Sequence, residues 1–136
     1  MMEHETEMGE TGASELAAAL TAVGSLDEVI HQKVRLALMS TLISVGESDF
    51  TQLRDLISLS DGNLSTHLAL LEDRGYVVST KSVVKRKPKT RYKATVVGRE
   101  AFREYVRNLE IILGIASGVD ERTTGYSVIS LLEVPT

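Results

Sequence analysis

The chain has 136 residues, 43% of them hydrophobic and 25% charged, with a formal net charge of -4. That is room for one domain plus tails, and enough apolar material for one core, which must be aliphatic because aromatics are 4% and Trp is absent. The absence of cysteine excludes disulfides and thiolate metal or redox sites. His4, His31 and His67 lie too far apart in sequence to suggest a zinc site, so no metal and no cofactor is expected. No apolar run approaches the ~18 residues that span a bilayer. The acidic N-terminus does not look like a signal peptide, so the cytoplasm is the expected location.

The net charge hides a segregation. Residues 1–28 carry seven acids (Glu3, Glu5, Glu7, Glu10, Glu15, Asp27, Glu28) and no Lys or Arg, while the rest carry 15 basic against 12 acidic side chains. Residues 81–93 hold seven basic residues and no acid. Local charge, not the total, sets the field that a phosphate backbone feels.

In chain order, residues 1–12 are polar, acidic and Gly-containing, and are expected to form a disordered tail. Ala13 to Val23 is rich in Ala, Leu and Glu and predicts a short helix, broken by Gly24 and Ser25. A longer helix is predicted from about Leu26 to Ser44, with an apolar stripe through Val29, Ile30, Val34, Ala37 and Leu38. Phe50, Leu53, Leu56 and Ile57 then predict a helix that Ser48 or Asp49 caps. A third helix is predicted over about 60–74, capped by Ser60 or Asp61, with Leu64, Leu68 and Leu71 on one narrow face and Gly75 closing it. The pattern then changes to period two. Tyr76–Val84 and Arg91–Val96 read as strands of a hairpin over about 76–96, with a basic loop Lys85–Thr90 between them. A last helix is predicted over about 97–117. Residues 118–136 form a C-terminal tail whose apolar end, Tyr126–Pro135, is able to dock on the domain or on a partner.

Helix, helix, turn, helix and basic hairpin is the order of a winged helix-turn-helix, a mainly α fold with a small β-hairpin (α+β). In that fold the helix over 60–74 enters the DNA major groove while the helix before it crosses the backbone. With the leucines facing the core, its opposite face carries Gly62, Thr66, Ala69 and Asp73, with Asn63, Ser65 and Leu70 at the edges. The first turn is small and polar, so Asn63 can pair with adenine, and Ser65 and Thr66 can donate or accept. His67 lies about 60° from Leu64 and is either a base or phosphate contact or a half-buried packing residue. A basic run by itself is usually a solvated turn. Its placement as a wing instead assigns Lys85, Arg86, Lys87, Lys89 and Arg91 to DNA, with Arg86 the candidate for minor-groove insertion.

The last helix presents Phe102, Tyr105, Val106, Leu109, Ile112 and Leu113, with Ala116, on one side. That stripe exceeds the needs of one small domain and is assigned to a dimer interface, which the Ala13–Val23 helix can complete. The alternative is that it packs back on the chain's own first helix.

Several segments carry a family resemblance. Val29–Leu42 resembles the opening helix of MarR/ArsR-like winged helix regulators. Phe50–Leu56, Asp61–Leu68, Leu71–Val77, Arg91–Thr95 and Gly98-Arg99 resemble them further, over about residues 28–113. The resemblance implies a homodimer on a near-palindromic operator, as a repressor of transcription, with recognition contacts from Gly62, Asn63, Ser65, Thr66 and His67. The cysteine-based metal sites of many ArsR-type sensors are absent, and the flanking helices are fewer and shorter than in full MarR proteins. A small-molecule or protein effector therefore stays open. No phosphate-cradling Gly loop, metal-ligand spacing or nucleophile–base pair points to an enzyme. The rival reading is a winged helix that serves as a protein interaction module. Such a module would more often carry apolar residues on the recognition face, where Leu70 is the one large example.

Overall fold

In the computed structural model, described over residues 2–117, the chain order is α1 (Met2–Gly24), α2 (Lys33–Val45), β1 (Glu47–Asp49), α3 (Phe50–Ile57), α4 (Asp61–Asp73), β2 (Val77–Val84), β3 (Lys87–Ala94) and α5 (Val96–Ser117). Two units emerge from the contacts, one of residues up to Leu26 with α5 from Glu104 onward, the other of Asp27–Arg103. The second unit is the winged helix. The expected tail 118–136 lies outside the described residues.

The core of the second unit is aliphatic, as the composition requires. Ile30, Leu38, Met39, Leu42, Leu53, Leu64, Leu68 and Leu71 are fully buried. They come from α2, α3, α4 and the turn before α2, and α2 packs against α3, α4, β1 and β3. Each buried side chain of this size contributes about 1.5–3 kcal/mol of apolar burial.

Local chemistry sets the helix ends. The helix expected from Leu26 begins only at Lys33, because polar side chains take the backbone amides first. Asp27 Oδ1 accepts from the amides of Val29 (2.8 Å) and Ile30 (3.1 Å), and the Gln32 side chain accepts from Arg35 N at 2.9 Å as the N-cap. At α3, Asp49 and Gln52 form a reciprocal capping box, with Gln52 N donating to Asp49 Oδ1 (2.8 Å) and Asp49 N to Gln52 Oε1 (3.0 Å). Ser60 caps α4. At its far end Gly75, at φ +78°, lets its own amide donate to Glu72 O and that of Tyr76 to Leu71 O, a Schellman closure.

The sheet holds a strand that the sequence does not announce. β1 pairs antiparallel with β3, which also pairs with β2, giving the order β1-β3-β2. Glu, Ser and Asp are poor strand residues, so this strand exists only through its partner. The hairpin is also tighter than expected. Lys87–Thr90 belongs to β3, and only Lys85 and Arg86, at φ 51° and 65°, connect the strands. Both left-handed residues fit the two-residue turn that matches strand twist.

In the first unit, α1 extends through Met2–Gly24 and so includes residues 2–12, where a disordered tail was expected. Glu and Met are good helix formers, and acids favour a helix N-terminus. Ala19 and Ala22 are buried, while Leu16, Leu20 and Val23 are exposed.

A close approach joins wing and α5 within the second unit. A Cβ on Gly98 would stand 2.2 Å from Tyr76 O. Thr95 N donates to Tyr76 O (3.0 Å), Thr95 Oγ1 donates to Gly75 O (2.6 Å), and Gly98 N donates to Thr95 Oγ1 (2.9 Å). Gly98→Ala is expected to cost about 3 kcal/mol, because the obstacle is backbone; urea denaturation measures it. A second expectation concerns acid. The amide of Gln52, against the opposing effect of burial, and then Lys89 hold the Asp49 carboxyl below its ordinary value. Its contribution is complete above about pH 5 and is lost as the pH falls through the lowered pKa. Asp49→Asn keeps a cap, so stability at pH 7 should change by less than about 1 kcal/mol while the acid limb of the stability curve flattens.

Candidate nucleic-acid interface

The candidate DNA-reading surface grows from α4. Leu64, Leu68 and Leu71 fix the helix by burial, and this leaves Gly62, Asn63, Ser65 and Thr66 exposed together in its first turns. Thr66 Oγ1 donates to Gly62 O at 2.9 Å, so its oxygen lone pairs face outward while that bond lasts. A Cβ on Gly62 would meet nothing within 4 Å, so no internal packing demands glycine there. Leu70 is 43% exposed, the one large apolar residue among these positions.

The approach to α4 is braced. Arg54 on α3 donates to Asp61 at 3.0 Å, tying the two helices across the turn. In that turn Ser58 takes a left-handed conformation at φ 58°, and its amide donates to Arg54 O.

The wing arranges its charge by register. Lys87, Lys89, Arg91 and Lys93 alternate along β3 and so share one face of the sheet, while Tyr92 and buried Ala94 take the other. Lys85 and Arg86 project the charge to the tip, where every residue of 81–88 is exposed. The face is not purely basic. β1 sets Asp49 opposite Arg91 and Glu47 opposite Lys93, and Lys89 Nζ lies 3.3 Å from Asp49 Oδ2. Among the expected wing residues, Lys89 is therefore already engaged inside the fold. An open cleft of about 590 Å³ separates the start of α3 from the hairpin, lined by Asp49, Phe50, Thr51 and the wing lysines.

His67 is half-buried, and its Nδ1 lies 3.1 Å from Arg35 Nη1 on α2. Burial, and after it the Arg35 guanidinium, push the His67 imidazole below its ordinary range. Sequence reasoning did not find Arg35. A contact spanning 32 positions between helices has no local signature, and the same holds for Lys89 with Asp49.

The assigned dimer residues divide. Phe102, Tyr105 and Val106 are 4%, 2% and 6% exposed in the single chain, so they are core residues that need no second copy to cover them. Leu109 and Ile112 are half-buried, and Leu113 is 60% exposed. The stripe looked excessive because periodicity alone does not reveal how much of it the chain covers by itself. No group of three or more His, Cys, Asp or Glu able to hold a metal ion occurs among the described residues, and no described helix is long and apolar enough to cross a membrane.

Comparison with known proteins agrees with this geometry. An uncharacterized protein of Methanocaldococcus jannaschii is 37% identical over 79 residues, 58% of this chain and 86% of that protein. A transcriptional regulator homologue from Pyrococcus horikoshii OT3 superposes with a TM-score of 0.59 at 28% identity, over 79% of this chain and 98% of its own. NadR, solved with 4-hydroxyphenylacetate, shares the fold with a TM-score of 0.55 at 18% identity, over 94% of this chain and 92% of its own. The profile of the winged helix DNA-binding domain family matches residues 34–113, from the second residue of α2 into α5, and the chain belongs to that family.

Proposed function

We propose that the protein regulates transcription in the cytoplasm by binding a specific duplex DNA sequence as a homodimer, on a near-palindromic operator and as a repressor. The observation that carries this reading is the pairing of a small polar recognition turn, Gly62 to Thr66, with an exposed basic wing tip in a winged helix DNA-binding domain. Asn63 and Ser65 supply base-edge donors and acceptors, while Lys85, Arg86, Lys87 and Arg91 supply phosphate or minor-groove contacts. The homodimer reading is supported by α1, where Leu16, Leu20 and Val23 are 54%, 63% and 50% exposed at a spacing that puts them on one face. A second copy offers the same face, as a two-fold interface requires. Leu20→Glu is expected to shift the mass measured by sedimentation from dimer to monomer. A single mass unaffected by the substitution would remove α1 from the interface.

The DNA reading is tested by fluorescence anisotropy against genomic fragments, the protein's own promoter region included, at several salt concentrations. Alanine at Lys85, Arg86 and Lys87 should weaken binding to all fragments and lower the salt slope by about three. Two substitutions should separate stability from function. Gly62→Ala enters open space and should stabilise the helix by about 0.5–1 kcal/mol, yet weaken binding to the preferred fragment about tenfold by holding the helix off the base edges. Arg86→Gly removes a non-glycine residue from φ 65° and should stabilise the hairpin by about 1 kcal/mol while it weakens DNA binding. Weak binding to every fragment, unchanged by Gly62→Ala, would point to a protein partner instead.

A further inference from the structure

His67 is the recognition-helix residue whose chemistry the rest of the fold decides. The Arg35 guanidinium is anchored from below, since its Nε donates to Val29 O at 2.5 Å in the turn before α2. Its Nη1 then points at His67 Nδ1 across 3.1 Å. A guanidinium has only donors and keeps its charge at any physiological pH. The nitrogen facing it must therefore offer a lone pair. A neutral imidazole that accepts at Nδ1 carries its proton on Nε2, so the two ring nitrogens are no longer interchangeable. Nε2, on the opposite edge of the ring, has no hydrogen-bond partner among the described residues, and His67 as a whole is only half-buried. His67 also stands one turn beyond Asn63 on α4, so the two side chains occupy one flank of the helix.

From this juxtaposition we infer that Arg35 is a positioning residue for DNA reading: it locks His67 as the Nε2–H tautomer, and His67 thereby reads a hydrogen-bond acceptor on the duplex, a purine N7 in the major groove. The inference rests on the proposed DNA binding and adds a specificity rule to it. A locked donor can donate to purine N7, guanine O6 or thymine O4 and rejects the amino groups of cytosine and adenine. An imidazole free to exchange tautomers would discriminate less. A phosphate oxygen is also an acceptor, but a neutral donor there would carry no sequence information.

Two arms test this on the full chain. In the first, long-range ¹H–¹⁵N correlation spectra of the free protein assign the His67 tautomer. The expected result is protonated Nε2 with unprotonated Nδ1 in the wild type, and a mixture of tautomers in Arg35→Met. A wild-type Nδ1–H signal, or a spectrum unchanged by Arg35→Met, overturns the lock. In the second, wild-type protein selects duplexes from a pool with a randomised centre, and each purine of the selected duplex is replaced in turn by its 7-deaza analogue. One position should cost the wild type about fivefold in affinity, the value of one neutral hydrogen bond, and cost His67→Ala nothing. His67→Gln donates without needing a tautomer, so Arg35→Met should weaken binding in the wild-type background and leave His67→Gln unaffected. A loss in His67→Ala that is equal for all duplexes, with no sensitive purine, overturns base reading in favour of phosphate. If the wild type selects no duplex, the proposed DNA function falls and base reading with it, while the spectra still decide the tautomer.

Discussion

The winged helix depends on the contact between Gly98 and Tyr76. No side chain fits between the start of α5 and the backbone that leads into β2, since a Cβ would lie 2.2 Å from Tyr76 O. Around that approach the polar groups close on each other. Thr95 bridges Gly75 and Gly98, and the phenol of Tyr76 donates to Asp27 in the turn before α2. Burial first, and the Asp27 carboxylate after it, push the Tyr76 phenol above its ordinary range, so it stays a donor. The end of α4, both wing strands and the start of α5 thus meet at one junction. The geometry of α4 relative to the wing, which α4 contacts through β2, follows from it.

The electrostatic design is local. A chain of formal charge -4 concentrates its basic residues on a hairpin of two eight-residue strands, and the register spreads four of them along one face. Some of that charge is spent inside the fold, where Lys89 holds the carboxylate that caps α3. The wing root and the helix that leads to α4 are therefore coupled by a side-chain ion pair besides the strand pairing of β1 with β3. The tip is strained, with two non-glycine residues at positive φ, and both are cations. Strain kept at an exposed charged turn is consistent with selection for contact more than for stability.

Along the chain, much was legible from pattern alone. The leucine spacing of α4, the glycine that ends α4 and the change from period 3.6 to period 2 all act within a few residues, and each appears in the structure where the sequence puts it, while of the two candidate caps at each helix start the structure uses Asp49 and Ser60. Those elements sufficed for the winged helix order and for the exposure of Gly62, Asn63, Ser65 and Thr66 at the start of α4. What failed did so for identifiable reasons. The start of α2 was misplaced because an apolar stripe does not show that Asp27 and Gln32 capture the preceding amides. The tip was drawn too long because a lysine-rich stretch with proline reads as loop, whereas β2 supplies it with a full set of partners.

Composition and periodicity, being local, determined by themselves the order of the helices, the hairpin and an aliphatic core, though not where α1 and α2 begin. Tertiary structure alone decided the interactions that join distant segments. It created a strand from Glu47–Asp49, buried Phe102, Tyr105 and Val106 within the single chain, engaged Lys89 with Asp49 and set Arg35 against His67. The physical reason is the same in each case. A hydrogen bond, an ion pair or a buried surface belongs to two partners, and a one-dimensional pattern records only one of them at a time.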